Sequence, residues 1–152
     1  MSPWVTLFPR EDWTTVASYS YAQNAKWDII SPAKVVEFGL PVLAGMKCDT
    51  DLRYIDSRLA PSGWFASLDT IIGKVLITAG GKECMRDDIV KFEERLTSPS
   101  ENIGKDIEVK MVVDKCGVHD DPFFNFLAGE RNLGELTPMI VLWCCGAFTS
   151  HS

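Results

Sequence analysis

The chain has 152 residues, of which 46% are hydrophobic and 24% are charged, a composition typical of one globular domain that buries a core. Its formal net charge of −6 argues against nucleic acid or an anionic membrane as a partner, because either would favour a basic surface. No apolar run approaches the roughly 18 residues that cross a bilayer and no signal peptide is evident, so the sequence predicts a cytoplasmic or ER-associated protein.

The cysteines and histidines do not form a recognisable metal-binding pattern. There are five cysteines and two histidines, and no two cysteines have the C-x-x-C spacing. The odd number of cysteines does not indicate a disulfide framework either. We therefore expect no metal site and no other cofactor.

The amino-terminal half contains few regular elements. Residues 4–7 have the composition of a strand, and residues 8–26 mix aromatic and polar side chains without periodicity, as in a cap region or a long loop. Ser31 and Pro32 predict the start of a short helix that Gly39 ends. Residues 40–64, rich in glycine and proline, predict a loop that returns to the sheet.

The carboxyl-terminal half begins with a strand and a helix. Residues 74–78 include a continuous apolar run, which is typical of a parallel strand covered on both faces. Residues 88–96 predict a helix with Ile89, Phe92 and Leu96 on its apolar side. Asp87 lies at its start, where a carboxylate complements the helix dipole.

A second strand and a terminal helix follow. Apolar residues alternate with charged ones over residues 107–113, which predicts a strand near the sheet edge with one face partly solvated. The last helix carries an apolar stripe and is predicted to start either at Thr137 or near Asn132. The stripe consists of Leu136, Ile140, Trp143 and Ala147.

The two strands are each followed by a loop with a chemically active side chain. Residues 80–88, the acid turn, carry Glu83 and Asp87, and residues 117–122, the histidine loop, carry His119. Loops that follow neighbouring parallel strands open at the same edge of a sheet. The sequence therefore predicts that a carboxylate and the imidazole lie together there.

Four motifs in this order resemble the carboxyl-terminal half of the α/β-hydrolase fold. The resemblance is to hormone-sensitive-lipase-like (α/β-hydrolase fold-3) esterases, especially fungal steryl acetyl hydrolase-like proteins. The motifs are residues 2–7, Asp28-Ile29-Ile30-Ser31-Pro32, the acid turn with the strand before it, and Gly117-Val118-His119-Asp120-Asp121-Pro122.

The fold that this resemblance implies is α/β, the C-terminal part of the hydrolase fold. It would comprise about three parallel strands with flanking helices and a remnant of the cap region. Residues 1–152 form one partial domain in this interpretation. Residues 8–70 are the cap and loop segment, and residues 71–148 hold the acid turn, the histidine loop and the terminal helix.

The resemblance also implies a catalytic triad of serine, acid and histidine in that chain order. His119 matches the family histidine, which takes a proton from the serine and returns it to the leaving alcohol. Glu83 is favoured as the acid, with Asp87 as the second candidate. The turn Glu83-Cys84-Met85-Arg86-Asp87 departs from the family's Asp-Pro-Leu-Arg-Asp type pattern and has one extra residue upstream.

The nucleophile motif of the family is not found in these residues. The G-x-S-x-G elbow and a His-Gly-Gly-Gly type oxyanion loop are both absent, and Ser62 in Ala60-Pro61-Ser62-Gly63 lacks the elbow spacing. The sequence therefore predicts a fragment or truncated homologue of a carboxylic-ester hydrolase. We expect it to lack triad-type activity on its own.

Aromatic residues of the cap segment are candidates for substrate binding. Trp13, Tyr21 and Trp27 would wall an apolar pocket for a small lipophilic ester, although ordinary core packing explains such residues equally well.

Two other functions remain open from the sequence. The chain is alternatively a non-catalytic binding or partner subunit, with a homodimer or a half-domain partner at an exposed sheet edge. It is alternatively a non-hydrolytic acid–base enzyme that uses Glu83 and His119.

Overall fold

In the computed structural model, the chain is described at residues 3–7, 16–101, 103 and 107–149. Helices and strands alternate in its second half, which makes the protein a member of the general α/β class. The elements in chain order are α1 (Ser20–Asn24), α2 (Pro32–Gly45), β1 (Lys74–Gly80), α3 (Arg86–Leu96), β2 (Glu108–Asp114), α4 (Asp121–Leu127) and α5 (Leu136–Thr149).

The sheet consists of β1 and β2, which lie parallel and are joined through α3. Lys74 pairs with Glu108 at one end and Gly80 with Asp114 at the other. Residues 77–80 of β1 are buried, whereas Val75 and Leu76 of the apolar run are only half-buried, so the predicted burial is confirmed in part. The β2 alternation is confirmed up to Met111, but it then shifts, so that Val113 is exposed.

Residues 4–7 do not form the predicted third strand, so within the described ranges the sheet has two strands rather than about three. A strand needs a ladder of backbone hydrogen bonds with a neighbour. Here the carbonyl of Val5 instead accepts hydrogen bonds from the backbone N–H of Ser57 at 3.1 Å and from its hydroxyl at 3.3 Å. Val5 and Leu7 are nevertheless buried.

The core lies between the sheet and the helix that follows β1. In α3, Ile89 and Leu96 are buried and Phe92 packs against them, as the periodicity predicts, although the helix begins at Arg86 rather than Asp88. The buried cluster consists of Val5, Tyr19, Tyr21, Val35, Ile77, Ala79, Cys84, Met85, Ile89 and Leu96.

The helix α2 begins as predicted but extends further. The Ser31 hydroxyl accepts a hydrogen bond from the backbone N–H of Lys34, which caps the helix before Pro32. The prediction that Gly39 ends it was wrong, because α2 continues through Pro41 to Gly45. A proline removes one backbone donor from a helix, and a glycine weakens it without necessarily ending it.

The predicted irregular segments also contain local structure. Residues 16–26 include the short helix α1, and the segment predicted as a loop contains 3₁₀ turns at Asp49–Tyr54 and Ser57–Leu59. Short turns of this kind lack the repeated periodicity that identifies a helix in a sequence.

Several apolar side chains on the carboxyl-terminal helices are exposed. The helix α4, which the sequence does not predict, exposes 76% of Phe126. In α5, Leu136 of the predicted stripe is buried and Ile140, Trp143 and Ala147 are half-buried, whereas Leu142 and Phe148 are 73% and 83% exposed.

No helix in the described ranges combines the length and the apolar character that crossing a membrane requires.

Candidate active site

The acid turn and the histidine loop are joined by backbone hydrogen bonds at the carboxyl ends of the two strands. The N–H of Gly81 donates to the carbonyl of Asp114 at 2.6 Å, and the N–H of Lys82 donates to the carbonyl of Gly117 at 2.9 Å. The strand register, with Gly80 opposite Asp114, places the two loops side by side.

Two glycines allow the loops to approach this closely. A Cβ atom on Gly80 would lie 2.4 Å from the carbonyl oxygen of Gly117. A Cβ atom on Gly81 would lie 2.6 Å from the carbonyl oxygen of Lys115. Both distances are too short for any side chain, so a larger residue at either position would push the loops apart.

Glu83 is the buried carboxylate of this site. Its Oε2 atom accepts a hydrogen bond from the backbone N–H of Gly80 at 2.9 Å, which orients the side chain back along the strand. Its Oε1 atom lies 2.5 Å from Nδ1 of His119. The side chain has no solvent exposure, so a hydrogen bond to the ring is not replaced by water.

His119 is buried beside Glu83, and its pKa is raised. Burial lowers its pKa, but the hydrogen bond and the charge of Glu83, with the charges of Asp120 and Asp28, outweigh that effect, so the pKa is raised above the usual value. Because a carboxylate accepts at Nδ1, the ring carries a proton there, and in the neutral ring Nε2 is the basic atom. Asp120 Oδ2 lies 3.7 Å from Nε2.

Asp28 supports both loops, a role that the sequence does not predict. Its Oδ2 atom accepts a hydrogen bond from the backbone N–H of Cys84 at 2.7 Å, and its Oδ1 atom accepts one from the backbone N–H of His119 at 3.1 Å. One carboxylate from the cap segment therefore fixes the residue after Glu83 and the histidine itself. The sequence contains no signal for this, since the partners are 56 and 91 residues away.

Two residues of α1 hold the acid turn from the same side. The Ser20 hydroxyl donates to the carbonyl of Cys84 at 2.6 Å, and the Asn24 amide donates to the carbonyl of Glu83 at 2.9 Å. Both side chains belong to buried residues. Burial in this apolar and acidic surrounding also raises the pKa of the Cys84 thiol to about 12, so the thiol remains protonated at neutral pH.

The second acid candidate, Asp87, does not contact the imidazole. Its Oδ2 atom accepts a hydrogen bond from the backbone N–H of Ser20 at 2.7 Å, and its Oδ1 atom pairs with the Arg86 guanidinium at 2.8 Å. It lies in the first turn of α3, where a carboxylate complements the helix dipole. The structure brings Glu83, and not Asp87, to His119.

Of the three aromatic residues proposed for substrate binding, the structure describes Tyr21 and Trp27, and these two lie in different environments. Tyr21 is fully buried in the core and stacks on Tyr19 with ring centroids 5.7 Å apart, which is the core-packing interpretation. Trp27 is 56% exposed and lies under the ammonium group of Lys26. Trp13 lies outside the described residues. The expected aromatic wall is therefore not formed by Tyr21 and Trp27.

Trp4 is the aromatic residue that lies beside the histidine. Its ring meets His119 edge-on with centroids 6.1 Å apart, and it meets Phe38 of α2 at 5.9 Å. An apolar groove of about 380 Å³ adjoins this tryptophan. The groove is lined by Trp4, Leu7, Phe38, Val42, Tyr54 and Ile55.

The described part of the chain supplies neither a metal cluster nor a serine partner for the histidine. Across those residues, no group of three or more His, Cys, Asp or Glu side chains is placed to bind a metal ion. No serine hydroxyl described there is hydrogen-bonded to His119, and Ser62 instead donates to the carbonyl of Ser100 at 3.1 Å. The site therefore consists of an acid and a base.

No protein-family model matches the chain, and comparison with curated proteins and with solved structures finds no match.

Proposed function

We propose that the chain supplies the acid and the histidine of a carboxylic-ester hydrolase, as the C-terminal part of an α/β-hydrolase fold. The observation that carries this proposal is the 2.5 Å contact between His119 Nδ1 and Glu83 Oε1, with both side chains buried at the carboxyl ends of two parallel strands. Such a pair orients one imidazole nitrogen away from the carboxylate, ready to exchange a proton with a reacting group.

In this mechanism His119 acts first as a base and then as an acid. Nε2 accepts the proton of a hydroxyl nucleophile while that oxygen attacks the ester carbonyl and forms a tetrahedral intermediate. The imidazolium then donates the same proton to the alcohol oxygen as the carbon–oxygen bond breaks. Glu83 keeps the proton of Nδ1 in place and stabilises the positive ring, consistent with the raised pKa of His119.

The nucleophile and the oxyanion donors come, in this proposal, from another polypeptide segment that packs against this chain. The absence of a G-x-S-x-G motif from the 152 residues motivates this assignment. The exposed side chains of Phe126, Leu142 and Phe148 support it, because a packed partner would cover them. A homodimer is the alternative partner at the same surfaces.

The substrate class that we propose is a small lipophilic ester. The apolar groove beside Trp4 supports this choice, because it adjoins the ring that contacts His119. The proposed substrate contacts therefore move from Tyr21 and Trp27 to Trp4 and Phe38, while Trp13, outside the described residues, stays a prediction. The compartment, cytoplasmic or ER-associated, remains a prediction from the sequence.

A non-hydrolytic acid–base enzyme is the second candidate. It is favoured by the intact pair of Glu83 and His119 in a site where no described serine is bonded to the imidazole. An isomerisation or cyclisation needs only that a base removes a proton and an acid returns it, and it forms no covalent intermediate.

The test joins this chain to the amino-terminal half of a fold-3 esterase that carries its own nucleophile and oxyanion loop. We expect the folded fusion protein to hydrolyse a short-chain p-nitrophenyl ester and to react with a fluorophosphonate at the elbow serine. His119→Ala should abolish both reactions, whereas Asp87→Asn should retain them. The chain alone should do neither.

Two results would contradict the proposal. A fusion protein that unfolds cooperatively but neither turns over the ester nor reacts with the fluorophosphonate would rule out a triad role for His119. Labelling of a serine in the chain alone, with turnover, would show that the nucleophile lies within these residues.

A further inference from the structure

Arg53 differs from three other arginines of the described chain in having no anionic partner. Arg58 pairs with Asp56 at 2.6 Å, and Arg95 pairs with Glu101 at 2.7 Å. Arg86 pairs with Asp87. The Arg53 guanidinium instead lies over two rings, 5.0 Å from the centroid of Trp64 and 5.9 Å from that of Tyr54.

The Nε–H group of Arg53 is a buried donor without an acceptor. Its nitrogen is shielded from solvent and makes no hydrogen bond with protein. Stacking on the aromatic faces of Trp64 and Tyr54 offsets part of the charge but does not satisfy this donor. Buried donors in proteins are nearly always paired, so the described residues leave part of the hydrogen-bonding capacity of this guanidinium unused.

Arg53 faces a small cavity with aromatic walls. The cavity has a volume of about 240 Å³ and is lined by Trp4, Tyr54, Trp64, Phe65 and Phe92, among others. Arg53 is the only charged residue among the described residues that line it. Arg95 lies near Phe65, but its charge is matched by Glu101.

We propose that this cavity binds a small organic anion in which a carboxylate is attached to a flat aromatic ring. The terminal nitrogens of the guanidinium, which are not among the buried unpaired atoms of the described residues, offer N–H donors to a carboxylate. The ring of the ligand would pack against the aromatic walls. A phosphate dianion fits less well, because no second cation among the described residues lines the cavity to balance its charge.

This binding site is separate from the acid–base pair, although the two are neighbours. Trp4 lines the cavity and also meets the ring of His119. A ligand at Arg53 would therefore lie one side chain away from the imidazole. Binding needs no nucleophile and no chemical step, so the proposal does not depend on hydrolase activity.

The experiment titrates the 152-residue protein with 2-naphthoate and follows tryptophan fluorescence and the heat of binding. We expect saturable one-site binding that Arg53→Gln weakens by at least about tenfold, the effect of losing a charge-assisted hydrogen bond. The matched control Arg131→Gln, which removes an exposed arginine, should leave the affinity unchanged. The neutral analogue 2-naphthamide should bind the wild type more weakly than 2-naphthoate.

The proposal is overturned if 2-naphthoate does not bind saturably, or if Arg53→Gln and wild type bind it equally. Equal losses in Arg53→Gln and Arg131→Gln would also overturn it, because they would indicate attraction to net charge alone. Thermal unfolding verifies that each variant folds. If Arg53→Gln does not fold, Arg53→Lys replaces it in the binding experiment. The comparison with 2-naphthamide needs no variant, since equal affinity of the wild type for both ligands refutes an anion site.

Discussion

The acid–base pair and the Arg53 cavity are two buried polar sites that differ in how completely the protein itself satisfies them. Both oxygens of Glu83 have partners, and the backbone around His119 is held by Asp28. Arg53 has aromatic faces around it but no acceptor for Nε. A satisfied network fixes a geometry for chemistry, whereas an unsatisfied donor is suited to recognising a ligand.

The largest effect is expected from breaking the contact between the two loops. Gly80→Ala places a Cβ atom 2.4 Å from the carbonyl oxygen of Gly117, so the backbone of the loops must move. We expect a loss of about 3 kcal/mol of unfolding free energy, measured by denaturant unfolding. Gly45→Ala, where a Cβ atom meets nothing within 4 Å, is the control. Equal stability of the two variants would refute the requirement for glycine.

Asp28→Ala tests whether one carboxylate holds both halves of the acid–base pair. It leaves the buried N–H groups of Cys84 and His119 without acceptors, so we expect a loss of about 2 kcal/mol of stability. The ring of His119 should become more mobile in NMR relaxation. Asp51→Ala, a half-buried carboxylate elsewhere, is a control. An unchanged His119 environment in Asp28→Ala would contradict the positioning role.

Glu83→Gln should change the pH dependence of stability. Because the pKa of His119 is raised in the folded protein, its stabilising contribution is complete below the unfolded value of about 6.5 and is lost as pH rises through the folded pKa. Removing the Glu83 charge should lower the pKa of His119, so less stability should be lost as pH rises. NMR titration of the imidazole in a His151→Gln background, with melting temperatures across the same pH range, measures both effects.

Asp87→Asn is the matched control for that titration. It removes a carboxylate that lies four residues after Glu83 and does not touch the imidazole, so the pKa of His119 should remain as in wild type. A larger decrease in Asp87→Asn than in Glu83→Gln would show that Asp87 is the partner of His119 in solution.

The smallest effect is expected at Arg53. Because its guanidinium forms no ion pair, Arg53→Met should change the unfolding free energy by no more than about 0.5 kcal/mol. Thermal and denaturant unfolding measure this directly. Arg95→Met removes a paired arginine that also donates to the carbonyl of Ala60, and it should destabilise the protein clearly. Similar losses in both variants would mean that Arg53 is a structural residue.

The sequence predicts the carboxyl-terminal elements better than the amino-terminal ones. The apolar run of β1 and the periodicity of α3 identify these elements, because burial of a strand or a helix face repeats along the chain. The alternation of β2 does so as far as Met111. Residues 4–7 have strand composition as well, yet they form no ladder, since pairing depends on a neighbour that composition does not reveal.

The candidate site also has a part that the sequence predicts and a part that depends on packing. The pattern of strand, acid turn, helix, strand and histidine loop places Glu83 and His119 at one edge of a parallel sheet, and that follows from chain topology. The sequence favours Glu83 over Asp87 as the carboxylate that meets the ring. Their backbone positions differ by about one helical turn, and only the packing of the turn points one of them inward.

The sequence by itself determined the unit of β1, α3 and β2, the apolar side of α3 and the loops that carry the acid and the histidine, because these depend on residues close together in the chain. The tertiary structure decided that Asp28 supports both loops, that Trp4 rather than Tyr21 or Trp27 lies beside the imidazole, and that Arg53 has aromatic neighbours but no acidic partner among the described residues. Each of these depends on residues far apart in sequence, whose contacts arise only when the core packs and excludes water.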